Sequence, residues 1–139
     1  MIELTKYEKT YEASLKELFL EEGLDFKEIS LCLDTTYVVI EREEVLGFAY
    51  YNLYDHDIFL DHLFVKPSQR LNYFGDSLFR TVLNALQLQG VQHVFMRQDN
   101  RYDFFLKKEG IFLENNQYKI DLHEFFNRNC KGSKEVEHH

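Results

Sequence analysis

The sequence predicts an α/β chain built on a mixed sheet with helices on its faces. Three observations carry that reading. The run Ile58 to Val65 is apolar on both of its alternating faces, as in a strand covered from both sides. Leu78, Val82 and Leu86, flanked by Phe79 and Leu83, make one apolar helical face over Phe74 to Leu88. The expected elements follow the order β-α-α-β-β-β-α-β-α-β-β, with one helix after Ile58–Val65 and another after Val91–Met96.

Each element has its own signal. Ile2 to Tyr7 reads as a short strand. Tyr11, Leu15, Leu18 and Phe19 then recur at helical spacing until Gly23 supplies a stop. A second short helix is expected from Asp25 to about Leu33. Tyr37-Val38-Val39-Ile40 is aromatic and β-branched, and the polar turn Glu43-Glu44 leads to a partner run, Leu46 to Tyr54. Asp55-His56-Asp57 turns the chain into Ile58–Val65, which Pro67 ends. The helix Phe74–Leu88 closes at Gln89-Gly90. Val91 to Met96 is a strand, and Arg101 to Glu109 a helix stopped by Gly110. Ile111–Glu114 and Tyr118–Leu122 form a hairpin around Asn115-Asn116.

Of 139 residues, 45% are hydrophobic, with 13 Phe and 9 Tyr. That is enough apolar surface for a core, which excludes disorder for most of the chain and fits one domain over residues 1–130. Charges interrupt every apolar stretch well short of the ~20 residues a membrane helix needs. Met1-Ile2-Glu3-Leu4-Thr5 lacks a signal peptide's basic-then-apolar pattern, so a soluble, cytoplasmic protein without a membrane partner is expected. The 16 basic and 24 acidic side chains give a formal charge of −8, which disfavours nucleic acid. Nine acids and four bases fall in residues 1–36, so −5 of that charge lies in the first quarter, where it can attract a cation. Cys32 and Cys130 lie far apart with no metal-ligand spacing, against both a disulfide framework and a metal site. The polar tail 131–139, ending Glu137-His138-His139, reads as disordered or tag-like.

The informative stretch is Leu63-Phe64-Val65-Lys66-Pro67-Ser68-Gln69-Arg70-Leu71-Asn72-Tyr73-Phe74-Gly75-Asp76, which joins an apolar strand to a helix start. The first amides of a helix lack intrahelical partners and lie at the positive end of its dipole, so the join is suited to a phosphate or pyrophosphate. Arg70 adds a positive charge. Val65, Pro67, Arg70 and Gly75 match in register the V-x-P-x-x-R-x-x-G-x-G pattern, and the chain resembles the GNAT family of acyl-CoA-dependent N-acetyltransferases. Phe105-Leu106-Lys107-Lys108-Glu109-Gly110-Ile111-Phe112 is similar to that family's Y-E-K-x-G-F ending, and the element order over residues 2–122 is the family's. The pattern's first glycine is Tyr73 here, and its tyrosine is Leu106.

The resemblance implies a GNAT-like fold, a mixed and mostly antiparallel sheet flanked by helices on both faces. It also implies acetyl-CoA as cofactor and transfer of its acetyl group to a primary amine. Cofactor contacts would come from the main chain of Phe64 and Val65, from Arg70, Leu71, Asn72, Tyr73, Phe74, Gly75 and Asp76, and from Asn100. Deprotonating a lysine-like amine of pKa ~10.4 at pH 7 costs about 4.6 kcal/mol, which makes a general base useful. The family's base, when present, often lies late in the strand before this loop. His62 is the first choice, since imidazole is largely neutral at pH 7, and Asp61 the second. With Leu106 in the tyrosine position, Tyr102, Tyr118 and Tyr73 are substitute hydroxyls, Tyr102 foremost. The expected partner is a small-molecule or peptide amine, with a homodimer left open. The alternative is a catalytically degenerate module that binds acyl-CoA without efficient turnover.

Overall fold

Among the described residues, the non-glycine positions with positive φ come in three adjacent pairs: Arg42 and Glu43 (52° and 67°), Asp55 and His56 (47° and 74°), and Asn115 and Asn116 (56° and 65°). Two-residue hairpin turns need this mirror-image backbone because its twist matches that of the flanking strands. Each pair marks a reversal of the chain. This computed structural model describes residues 2–67 and 74–127, with the backbone alone for 28–32 and 74. The strands are β1 (Ile2–Lys6), β2 (Thr36–Glu41), β3 (Glu44–Tyr54), β4 (Asp57–Val65), β5 (His93–Arg97), β6 (Leu113–Glu114) and β7 (Gln117–Asp121). The helices are α1 (Glu12–Glu22), α2 (Phe26–Ile29), α3 (Phe74–Leu88) and α4 (Asn100–Lys108). The strands form a seven-stranded mixed sheet in the order β1-β2-β3-β4-β5-β7-β6.

The chain divides into two units, of which the first comprises Met1–Leu53 and Leu60–Val82. Here β1 pairs antiparallel with β2, and β2 with β3. The register shifts once, since Val39 faces Gly47 while Ile40 faces Val45, leaving Leu46 as the extra residue of a bulge. Helix α1 buries Leu15, Leu18 and Phe19 against Val38, Ile40, Val45, Phe48, Tyr50 and Phe64. The rings of Phe19 and Phe48 have centroids 4.5 Å apart. Each such buried side chain contributes about 1.5–3 kcal/mol. Ser14 ties the helix to the sheet by accepting the Val45 amide at 2.8 Å. Gly23, at φ 78°, ends α1 in the left-handed conformation that lets the Leu24 amide bond the Phe19 carbonyl at 2.8 Å.

The second unit comprises Tyr54–Phe59 and Leu83–His139. The start of β4 runs parallel to β5, registered at Ile58↔Val94 and Phe59↔Phe95. Strand β5 pairs antiparallel with β7, and β7 with β6. Asp99 caps α4 by accepting the Arg101 amide at 2.9 Å, and the helix buries Tyr102 and Leu106.

Three expectations are corrected. The expected helix Asp25–Leu33 is the four-residue α2 followed by a 3-10 stretch, Ser30–Thr35. The Thr35 hydroxyl bonds the Tyr51 carbonyl where β2 begins, tying the end of the stretch to the sheet. The first hairpin turns at Arg42-Glu43 rather than Glu43-Glu44, because Glu44 already pairs with Glu41. The chain also becomes helical again over 122–127, where the Asp121 carboxylate accepts the Glu124 amide at 3.0 Å. The tail 131–139 and Cys130 lie outside the described residues, as does the side chain of Cys32.

Candidate active site

Strand β4 presents alternate residues to opposite sides, and Leu60, His62 and Phe64 share its buried face. His62 is 4% exposed. Its ring lies nearly parallel to those of Phe48 and Tyr50, with centroids 5.2 and 5.9 Å away. Its Nε2 lies 3.8 Å from Oε1 of Glu22, the last residue of α1. The face-swapping neighbour Asp61 is half-buried, and its carboxylate accepts the Asn52 amide at 2.8 Å. His62 and Asp61 are thus adjacent in sequence, and alternation along the strand sends them to different partners.

The end of β4 is held by its main chain. The Lys66 amide donates to the Leu46 carbonyl at 2.8 Å, and the Lys66 ammonium reaches Glu44 at the same distance. That hydrogen bond is the chief reason the Lys66 pKa is held above the usual lysine value. Phe64 and Val65 are buried. A Cβ on Gly47 would stand 2.7 Å from the Phe64 carbonyl oxygen and 3.2 Å from the Val65 Cα. Glycine is therefore required on β3 for the bulged strand to pass this close.

Beyond β4, Arg70, Leu71, Asn72 and Tyr73 lie outside the described residues, and Phe74 opens α3. A Cβ on Gly75 would meet only Val65 Cγ2, at 3.9 Å, so no crowding within the described chain demands glycine there. Asp76 in the first turn is bonded by Arg80 Nε at 3.1 and 3.3 Å, which offsets the acid and leaves the helix start net attractive to an anion. The described part of this join, the start of α3 with Asp76 paired to Arg80, is compatible with an anion.

In the second unit, Tyr102 is 9% exposed, with the Arg101 guanidinium 5.5 Å from its ring. Asn100 opens α4 and is exposed. Leu106 is fully buried one turn after Tyr102 and on the same helix face. The position of the family's tyrosine is core here. The Tyr118 hydroxyl, another substitute, bonds the Asp103 carboxylate. Among the described residues, no group of three or more His, Cys, Asp or Glu is gathered as metal ligands would be. No described helix is long and apolar enough to cross a membrane.

Glu22 was not among the residues expected from the sequence. Its signal was available: Glu21-Glu22-Gly23 puts two acids in the last turn of a helix that has no basic residue there, at the negative end of its dipole.

The model of the acetyltransferase (GNAT) family matches residues 3–107. The chain belongs to that family of acetyltransferases. Its fold is that of solved family members. It is similar to a GNAT-family acetyltransferase from Staphylococcus aureus Mu50, with TM-score 0.71 at 16% identity, over 88% of this chain and 99% of that one. It is similar also to Tetrahymena GCN5, with TM-score 0.67 at 14% identity, over 88% and 96%. N-acetylglutamate synthase from Neisseria gonorrhoeae, solved with coenzyme A and N-acetyl-glutamate, aligns with TM-score 0.66 at 10% identity, over 95% of this chain and 33% of the synthase. No curated protein matches the sequence.

Proposed function

We propose that the protein is an N-acetyltransferase that moves the acetyl group of acetyl-CoA to a primary amine of a small molecule or peptide. The observation that supports this most, in a chain of this family, is the imidazole of His62 on β4, two residues before Phe64 and beside the carboxylate of Glu22. A Neisseria relative of the same fold was solved with coenzyme A, which supports the cofactor class.

Acetyl-CoA, when bound, supplies a thioester-activated acetyl group and a thiolate that can leave. Arg70, Leu71, Asn72, Tyr73, Phe74 and Gly75, with the first amides of α3, would hold the diphosphate. Arg80 keeps Asp76 from repelling it. The main chain of Phe64 and Val65 would hold the pantetheine arm, and an N–H there would stabilise the oxygen on which negative charge develops. Asn100 adds a side-chain amide to the cofactor contacts. His62 takes the acceptor's proton, directly or through one water, and so offsets the roughly 4.6 kcal/mol needed to deprotonate a lysine-like amine at pH 7. Asp61 adds negative charge that draws a cationic acceptor toward β4. The Tyr102 hydroxyl is the group that would supply a proton to the thiolate.

A second reading, an acyl-CoA-binding module without efficient turnover, is favoured by one observation: Leu106 is buried where the family's tyrosine falls. One series of measurements separates the two. Acetyl-CoA should raise the melting temperature, because a ligand selective for the folded state stabilises it by mass action. Turnover across a panel of amines then distinguishes enzyme from binder. His62→Ala should lower kcat about 10²–10⁴-fold with cofactor affinity retained. No thermal shift at millimolar acetyl-CoA would remove both readings.

A further inference from the structure

We infer that Glu22 is the positioning residue for His62, holding the imidazole in the tautomer that accepts the acceptor's proton and stabilising the imidazolium that results. The inference rests on the reading of His62 as the base. Its ground is the pair itself. Glu22 closes α1, and its side chain is 18% exposed although glutamate is ordinarily solvated. Instead of extending into water it turns toward β4, placing Oε1 3.8 Å from Nε2 of a side chain that is itself 5% exposed. An acid in the last turn of a helix meets the negative end of the dipole, which disfavours that placement.

The chemistry follows from which nitrogen faces the carboxylate. At 3.8 Å the carboxylate is beyond hydrogen-bond length and acts through its field: an anion nearest Nε2 favours the neutral tautomer with its proton on Nε2 and the lone pair on Nδ1. The proton released by the acceptor's ammonium group is therefore received at Nδ1. The ring becomes a cation and the Glu22 carboxylate an adjacent anion, so the pair goes from a net charge of −1 to neutral as the amine goes from cation to neutral nucleophile. No electron changes hands, and the proton passes to solvent when the ring resets. Burial by itself opposes a charged imidazole, whereas an anion close by favours it. Among the described residues, Glu22 on α1 and Tyr50 on β3 are titratable groups that face the ring. Asp61 on the same strand is directed to Asn52.

The test uses the full chain as wild type, Glu22→Gln, Glu22→Asp, His62→Ala and the double variant Glu22→Gln/His62→Ala. Acetyl-CoA affinity, the pH profile of kcat/KM and the ring titration of His62 by NMR are measured on each. Glu22→Gln is expected to lower kcat at least about tenfold with acetyl-CoA affinity within twofold of wild type. Its acid limb and its His62 titration should both move to lower pH, because losing the carboxylate disfavours the charged ring. Glu22→Asp should recover part of both shifts, and the double variant should be no slower than His62→Ala alone. Curves for Glu22→Gln that superimpose on wild type, or an additive double variant, would overturn the inference. Should the wild type turn over no amine, the proposed function fails separately. The ring titration of the resting protein still decides the pairing, a shift supporting it and coincident curves refuting it.

Discussion

The carbonyl oxygen of Phe64 lies 2.7 Å from the point that a Cβ on Gly47 would occupy. A real Cβ does not approach an oxygen so closely, and the obstacle is backbone, which cannot rotate aside as a side chain can. The bulge at Leu46 and the Lys66 amide bond to the Leu46 carbonyl fix the strands on either side of this contact. The end of β4, where Phe64 and Val65 offer main-chain groups, is therefore set by the absence of a side chain on β3.

Gly47→Ala should accordingly destabilise the protein by about 1–3 kcal/mol, the range for forcing extra volume into a packed site. Urea denaturation measures it. Because relief requires the end of β4 to move, affinity for acetyl-CoA in the folded fraction should fall as well. Unchanged affinity by isothermal titration would separate this contact from the site.

Two tyrosines near α4 should part company when their hydroxyls are removed. Tyr118→Phe takes a donor from the part-buried Asp103 carboxylate and should cost about 1–3 kcal/mol of stability, with little change in kcat. Tyr102→Phe should lower kcat, as expected of a proton donor, with acetyl-CoA affinity retained. The opposite pattern would transfer the catalytic role to Tyr118.

Asp121 predicts a pH dependence. Its carboxyl is held below the usual value, first by the Glu124 amide it accepts and also by the nearby His93. A depressed folded-state pKa contributes stability that is fully present above the unfolded-state value, ~3.9, and is lost as pH falls through the folded-state value. Asp121→Ala should cost about 1 kcal/mol near neutral pH, as for loss of a helix cap. The difference between wild type and variant should shrink in thermal melts taken at progressively lower pH below ~4.

The turn at Arg42-Glu43 holds two residues with no preference for left-handed backbone at φ 52° and 67°. Glu43→Gly should therefore stabilise the protein by about 1 kcal/mol, since the left-handed conformation costs an L-residue roughly 1–2 kcal/mol and glycine nearly nothing. The same replacement at Glu41, inside β2, should destabilise, and the pair of melting temperatures checks the sign.

Much of the fold was legible in the chain. Helix α3 follows its apolar face from Phe74 to Leu88, and the left-handed glycine after α1 falls at Gly23, where the periodicity stops. The Asn115-Asn116 turn is equally explicit, because those residues favour the backbone it needs. The Arg42-Glu43 turn was misplaced by one residue, since nothing in an arginine or a glutamate announces positive φ. The 3-10 stretch after α2 was also hidden, because its form depends on Thr35 meeting the Tyr51 carbonyl, sixteen residues away.

By itself the sequence determined the class of fold, the family motif running from Val65 to Gly75, and the strand that carries His62 and Asp61. These are local matters of periodicity, turn chemistry and spacing, written in consecutive residues. Only the tertiary structure decided that His62 faces Glu22 while Asp61 faces Asn52, and that Leu106 fills core where the family has a hydroxyl. Those outcomes depend on which strand and helix come to lie beside each side chain, and burial and charge act through space between residues the chain order keeps apart.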